Sequence, residues 1–208
     1  MKLESARLYL VAPASLDAGP LENFVPELSA AGVDVIQLRE KEMEAGDLIR
    51  AGEPIRDACR DAGVPFIVND RADVALALEA DGVHLGQNDL SAQVARRILG
   101  ANIVGASTHT TDEIDDSLED RPDYIAVGPV YETPTKPGRP AVGLDLIAYA
   151  AHTAAVPWFA IGGVNADTLE EVLDAGARRV VVVRAITEAT DPVVAARSLR
   201  ERLEQPRR

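Results

Sequence analysis

Pro65-Phe-Ile-Val-Asn-Asp-Arg-Ala-Asp-Val-Ala-Leu-Ala-Leu-Glu-Ala-Asp-Gly-Val-His-Leu85 holds a strand, a helix and a second strand in one short stretch. Its ends, Pro65–Val68 and Gly82–Leu85, are apolar runs of the kind that form parallel strands buried on both faces. Its middle, Asp70–Ala80, carries apolar residues at about every third or fourth position, the spacing of an amphipathic helix. The Asp81-Gly82 pair between them reads as a helix C-cap leading into a strand.

The same unit recurs on both sides. Further strands are predicted at Arg7–Ala12, Val33–Leu38, Asn102–Ala106, Asp123–Val127, Pro157–Ile161 and Arg179–Val183, making eight in all. Helical patterns fall between them, at Asp47–Ala62, Ser91–Leu99, Thr110–Glu119, Asn165–Ala175 and Asp191–Leu203. Ser91, Thr110, Asn165 and Asp191 stand where N-caps belong, and Pro192 suits a first turn. No linker or composition shift divides the chain. The prediction is therefore one (β/α)8 barrel, the TIM-barrel fold, over residues 1–208, at the small end of that fold's range. A doubly wound open sheet is the alternative. The regularity of the units argues against it, and so does the first turn, Ala12-Pro13-Ala14-Ser15, which lacks the GxGxxG of a dinucleotide fold.

Composition narrows the function. The 208 residues carry 21 Lys+Arg against 34 Asp+Glu, a net charge of −13, and only Lys2, Lys41 and Lys136 are lysines. A nucleic-acid partner or a polybasic membrane anchor needs a basic face that this chain does not offer. No apolar run is long enough to span a membrane, and the N-terminus lacks the layout of a signal peptide, so a cytoplasmic enzyme is expected. Cys59 is the single cysteine. It excludes an intrachain disulfide and a thiolate zinc site, and its place in a helical pattern suggests an inert, half-buried thiol.

Barrel enzymes work at the C-terminal ends of their strands, and polar residues gather at those positions. Gln37, Arg39 and Lys41 alternate after the second strand, so a continuing strand would point all three into the barrel mouth. There they suit a polyphosphate, although a surface loop could carry the same charges. Asp70 and Asp89 end neighbouring strands; they read either as a Mg²⁺ pair or as helix caps. Asn69, His84, Ser107 and His109 lie at the same level, whereas His152 reads as a helix-surface residue. The loop Val130–Val142 contains Thr133, Pro134, Thr135 and Lys136 and has the length and content of a binding loop. Gly162-Gly163 would let backbone N–H groups approach an anion. These features imply two anionic subsites, one around Arg39, Lys41, Lys136 and Mg²⁺, and one near Gly163 and the eighth strand.

Six motifs in order, Gln-Leu-Arg-Glu-Lys (37–41), Val-Asn-Asp (68–70), His-x-Gly-Gln-x-Asp (84–89), Gly-x-Ser-x-His-Thr (105–110), Gly-Pro-Val-Tyr-x-Thr-Pro-Thr-Lys (128–136) and Ala-Ile-Gly-Gly (160–163), resemble those of the thiamine-phosphate synthases. The resemblance spans nearly the whole chain. It implies that hydroxymethylpyrimidine diphosphate and hydroxyethylthiazole phosphate are joined to give thiamine phosphate and pyrophosphate. It implies that Gln37, Arg39, Glu40, Lys41, Asn69, Ser107 and Lys136 hold the pyrimidine diphosphate, with Arg39, Lys41, Ser107 and Lys136 catalytic. By the same resemblance Asp70 and Asp89 bind Mg²⁺, while Thr133, Pro134, Thr135, Gly163, Val183 and Arg184 surround the thiazole phosphate. One departure is Arg184, where many relatives have Ser; its guanidinium could grip the phosphate or point away and leave that task to backbone N–H groups. The rival reading is a thiazole tautomerase-like isomerase on the same scaffold, which places a His where Pro129 stands and lacks parts of the diphosphate and Mg²⁺ motifs. Oligomeric state is not readable from these residues.

Overall fold

A closed ring of eight parallel strands forms the centre of the computed structural model, in which residues 3–133 and 140–205 are described. The strands are β1 (Leu8–Ala12), β2 (Val35–Leu38), β3 (Phe66–Asn69), β4 (Gly82–Leu85), β5 (Ile103–Thr108), β6 (Tyr124–Val127), β7 (Trp158–Ile161) and β8 (Val180–Val182). Each pairs with its sequence neighbour, and β1 closes the ring by pairing with β8 from Leu8↔Val180 to Leu10↔Val182. The helices are α1 (Val25–Ala30), α2 (Ala45–Ala62), α3 (Ala72–Ala77), α4 (Ala92–Leu99), α5 (Thr111–Glu119), α6 (Gly143–Thr153), α7 (Leu169–Asp174), α8 (Arg184–Thr187) and α9 (Pro192–Glu204). A two-stranded hairpin, Ser15–Leu16 with Gly19–Pro20, follows β1.

The period-two alternation of strands divides the core into two layers. Leu8, Leu10, Ile36, Phe66, Val68 and their counterparts face the helices and form the larger cluster. Tyr9, Val11, Val35, Ile67, Tyr124, Phe159 and Val181 face the barrel axis. Phe159 meets both tyrosine rings edge-on, at 5.4 and 5.6 Å between centroids, an arrangement that suits their quadrupoles. Two residues beyond Val35 and Ile67 on the same inner face come Gln37 and Asn69, so the alternation that fills the barrel also delivers polar groups to its mouth.

All eight predicted strands are present, with shifts at their ends. β3 and β5 run on to Asn69 and Thr108, while β2 starts at Val35 because the Asp34 carboxylate caps the chain beside it, accepting the N–H groups of Arg7 at 2.6 Å and Leu8 at 3.0 Å. Helix α3 is shorter than predicted: Asp70 has φ 62°, incompatible with a helical turn, and α3 begins at Ala72. Helix α7 begins at Leu169, since Asn165 first folds a turn by accepting the N–H groups of Asp167 and Thr168. Ser91 and Asp191 cap α4 and α9 as expected, and His152 is exposed on α6. Helices α1, α6 and α8 are additional to the predicted set. Cys59 is fully buried, not half-buried, and burial beside Asp81 pushes its thiol pKa up to about 12. Among the described residues no helix is long and apolar enough to cross a membrane.

Candidate active site

The floor of the mouth is a continuous run of polar side chains, all buried except Asn69, which is half-buried. Gln37 Nε2 donates to Asn69 Oδ1 at 2.7 Å, and Gln37 Oε1 accepts from the Tyr9 hydroxyl at 2.8 Å. Tyr9 and Tyr124 share a hydrogen bond of 2.8 Å between hydroxyls. His84 lies 2.9 Å from the Tyr124 hydroxyl through Nδ1 and 2.9 Å from Ser107 Oγ through Nε2, with its ring stacked on Tyr124. Six residues from six strands are thereby joined. Space for the Tyr124 ring exists because position 105 is glycine: a Cβ there would lie 2.1 Å from Tyr124 Cζ. Burial raises the pKa of both phenols above the ordinary tyrosine value, further helped at Tyr9 by the neighbouring Tyr124.

Charged groups form the rim above β2, β3 and β4. Lys41 Nζ is 3.2 Å from Asp70 Oδ2. Asp70 adopts a left-handed backbone, a conformation Asp tolerates better than most residues. Asp89 accepts the Gly86 N–H at 2.7 Å. Partial burial of the Asp89 carboxyl and the Asp70 carboxylate beside it push its pKa up, against the Gly86 N–H and Lys41, which pull it down. Two carboxylates side by side with one lysine are a pair that could hold a hard divalent cation. Among the described residues no group of three or more metal-ligating side chains occurs.

The anticipated common orientation of Gln37, Arg39 and Lys41 does not hold. β2 ends at Leu38, so the three side chains diverge: Gln37 enters the floor, Lys41 reaches Asp70, and Arg39 lines a cleft shared with Val183 and Arg184. Glu40 turns back and accepts the Ala14 N–H at 2.8 Å, which braces the loop after β1.

Across the mouth, a cavity of about 90 Å³ is bordered by Ser107, Thr133, Gly163, Val183 and Arg184. These come from four strand ends; the resemblance implies Thr133, Gly163, Val183 and Arg184 for the thiazole phosphate, and Ser107 for the pyrimidine diphosphate. Gly163 has φ 71°, and a Cβ there would lie 2.6 Å from Tyr131 Cβ; the glycine thus permits both the left-handed turn and the close approach. Tyr131 donates to Glu171 at 2.9 Å. Arg184 opens the short α8 and lies 3.8 Å from Glu188. Pro134, Thr135 and Lys136 lie outside the described residues.

Residues 8–186 match the sequence profile described as thiamine monophosphate synthase. The chain belongs to that family. Relatives in this family include the thiamine-phosphate synthase of Mycolicibacterium vanbaalenii, 53% identical, with the alignment covering 95% of this chain and 94% of that one. The thiamine-phosphate synthase of Thermus thermophilus is 55% identical over 84% of each chain. The solved thiamine phosphate pyrophosphorylase of Pyrococcus furiosus superposes with a TM-score of 0.87, at 32% identity and 97% coverage of both chains. Thiamine-phosphate synthases are transferases (EC 2.5.1.3), and the chain is an enzyme of this kind. Membership of the family leaves three floor residues without a predicted role: Tyr9, Tyr124 and His84. His84 is visible in the His-x-Gly-Gln-x-Asp motif. The tyrosines read as ordinary strand residues, and only the inward phase of β1 and β6 marks them.

Proposed function

We propose that the chain condenses 4-amino-2-methyl-5-hydroxymethylpyrimidine diphosphate with hydroxyethylthiazole phosphate, releasing thiamine phosphate and pyrophosphate. The observation that carries this reading is the adjacency of two differently built halves of one mouth. The Lys41–Asp70–Asp89 rim suits a diphosphate, and the cavity between Ser107, Gly163 and Arg184 suits a second, monophosphorylated molecule.

The chemistry asks little of a general base. The bond between the pyrimidine CH₂ and the diphosphate oxygen breaks with its electron pair leaving on pyrophosphate. The electron-rich aminopyrimidine spreads the positive charge that develops on carbon, and the thiazole nitrogen donates its lone pair to form the new C–N bond. Mg²⁺ bound at Asp70 and Asp89 would supply charge neutralisation on the leaving group. Arg39, Lys41 and Lys136 add to that neutralisation, and Ser107 and Asn69 orient the diphosphate substrate. Gly163 and the Val183-Arg184 pair hold the thiazole phosphate, with Thr133, Pro134 and Thr135 beside it.

Mixing the two substrates with and without Mg²⁺ and assaying thiamine phosphate tests the reaction. Product is expected with the metal, and Asp70→Ala or Lys41→Ala should lower turnover by orders of magnitude without unfolding the barrel. Near-normal pyrophosphate release by either variant would remove the leaving-group assignment.

A further inference from the structure

The run of hydrogen bonds through the barrel floor has a direction. Gln37 Nε2 donates to Asn69, so Gln37 Oε1 must accept, and the Tyr9 proton points to it. Tyr9 then has only a lone pair for Tyr124, so the Tyr124 proton points to Tyr9. Tyr124 in turn can only accept from His84, which places the imidazole proton on Nδ1. Nε2 is left as an acceptor and takes the Ser107 proton. Burial raises the pKa of both phenols, so each keeps its single proton around neutral pH.

A second arrangement, not the one adopted without ligand, leaves the same contacts satisfied. If both amides are flipped, Asn69 donates to Gln37, Gln37 to Tyr9, Tyr9 to Tyr124, Tyr124 to Nδ1, and Nε2–H to Ser107. While the His84 imidazole is neutral, any mixture of the two puts two protons or two lone pairs face to face inside a region almost closed to water, with Gln37, His84 and Ser107 only 3%, 7% and 5% exposed; a doubly protonated ring, donating from both nitrogens, would uncouple the two ends. Such a buried mismatch is unfavourable.

We propose that Tyr9, Tyr124 and His84 act as a specificity relay that forces Asn69 and Ser107 to present opposite hydrogen-bonding senses to the substrate. In the first arrangement Asn69 keeps its N–H groups for a ligand and Ser107 keeps lone pairs. In the second Asn69 offers its carbonyl and Ser107 its O–H. A ligand with one donor and one acceptor satisfies both ends together, and one with two acceptors satisfies only one. This rests on the proposed reaction, whose substrate carries a donor, the exocyclic amine, and an acceptor-only diphosphate. Tyr9 and Tyr124 are positioning residues here, acting through Gln37 and His84.

The ¹⁵N resonances of the His84 ring in the labelled full chain report the direction. Without ligand the proton is expected on Nδ1. Tyr9→Phe, which does not touch His84, is expected to give a mixture of tautomers; an unchanged His84 spectrum in that variant would overturn the relay. Gln37→Glu, whose carboxylate must accept from Tyr9, should hold the proton on Nδ1 with or without added inorganic pyrophosphate, and a proton on Nε2 in that variant would contradict the relay. In turnover, Tyr9→Phe should reduce the kcat/KM preference for the aminopyrimidine over its oxo analogue at least tenfold, and an undiminished preference would deny the relay a role in specificity.

Discussion

Gly105→Ala is the substitution whose outcome depends most directly on the barrel floor. The backbone at 105 is ordinary extended strand, so by chain entropy alone alanine should stabilise the protein by about 0.4–1 kcal/mol. The packing predicts the opposite sign. The new methyl would lie 2.1 Å from Tyr124 Cζ and 2.4 Å from its hydroxyl, and the ring has Phe159, Tyr9 and His84 around it. Overfilling a packed interior costs about 1–3 kcal/mol. Displacing the hydroxyl strands a partner at Tyr9 or His84 for about 1–3 kcal/mol more. The net expectation is a loss of about 2–5 kcal/mol, seen as a fall in Tm of roughly 4–20 °C for a domain of this size. Urea unfolding of the variant measures the first quantity and a thermal melt the second. Gly105→Ala combined with Tyr124→Leu should lose less than the sum of the single changes, because removing the ring removes the clash. Stability equal to or above that of the parent chain would show that the interior yields freely at Tyr124, and the account of the floor would fail.

Three other outcomes follow from separate parts of the structure. Arg184→Ser should raise KM for the thiazole phosphate about tenfold, the scale of one charged hydrogen bond, with kcat little changed; an unaltered KM would assign the phosphate to backbone groups instead. Cys59 should resist alkylation in the native state, because its pKa is about 12 against 9.0 for an ordinary thiol. Between those values the native chain holds a proton that the unfolded chain has lost, so this thiol lowers stability as pH rises, and Cys59→Ala should flatten that part of the stability–pH curve. Asp34→Ala should cost about 2–3 kcal/mol in urea titrations, since it strips the acceptor from two backbone N–H groups and from Arg200.

The barrel was legible because its signal is periodic and local. Eight apolar runs separated by helical patterns need no long-range information to be recognised. The fold rule put Ser107, Gly163 and the end of the eighth strand at the mouth, but that Ser107 borders the same cavity as Gly163 and Arg184 was not legible, because it depends on how distant strand ends meet. What escaped the sequence depends on single backbone angles and distant partners. Asp70 itself takes a left-handed backbone, so the helix that its neighbours suggest starts two residues later. Glu40 belongs to a basic, phosphate-suited motif, yet its carboxylate is committed to the Ala14 N–H. Tyr9 and Tyr124 are separated by 115 positions, and nothing local tells a strand tyrosine that packs from one that also relays a hydrogen bond.

Asp34 closes the ring at the opposite end from the mouth. Its carboxylate joins the backbone of β1 to the Arg200 guanidinium of α9, 166 residues later, while Arg7 reaches the Leu203 carbonyl of the same helix at 3.0 Å. The first strand of the barrel is therefore tied to α9, a helix that follows its eighth strand. A ribosome that has exposed seven strands has produced most of the barrel wall and the Asp34 half of the clasp, but β1 keeps an open edge until β8 emerges, and Asp34 lacks its guanidinium until α9 follows. Assembly of the mouth, whose two halves sit on opposite sides of that seam, is correspondingly a late event in the life of the nascent chain.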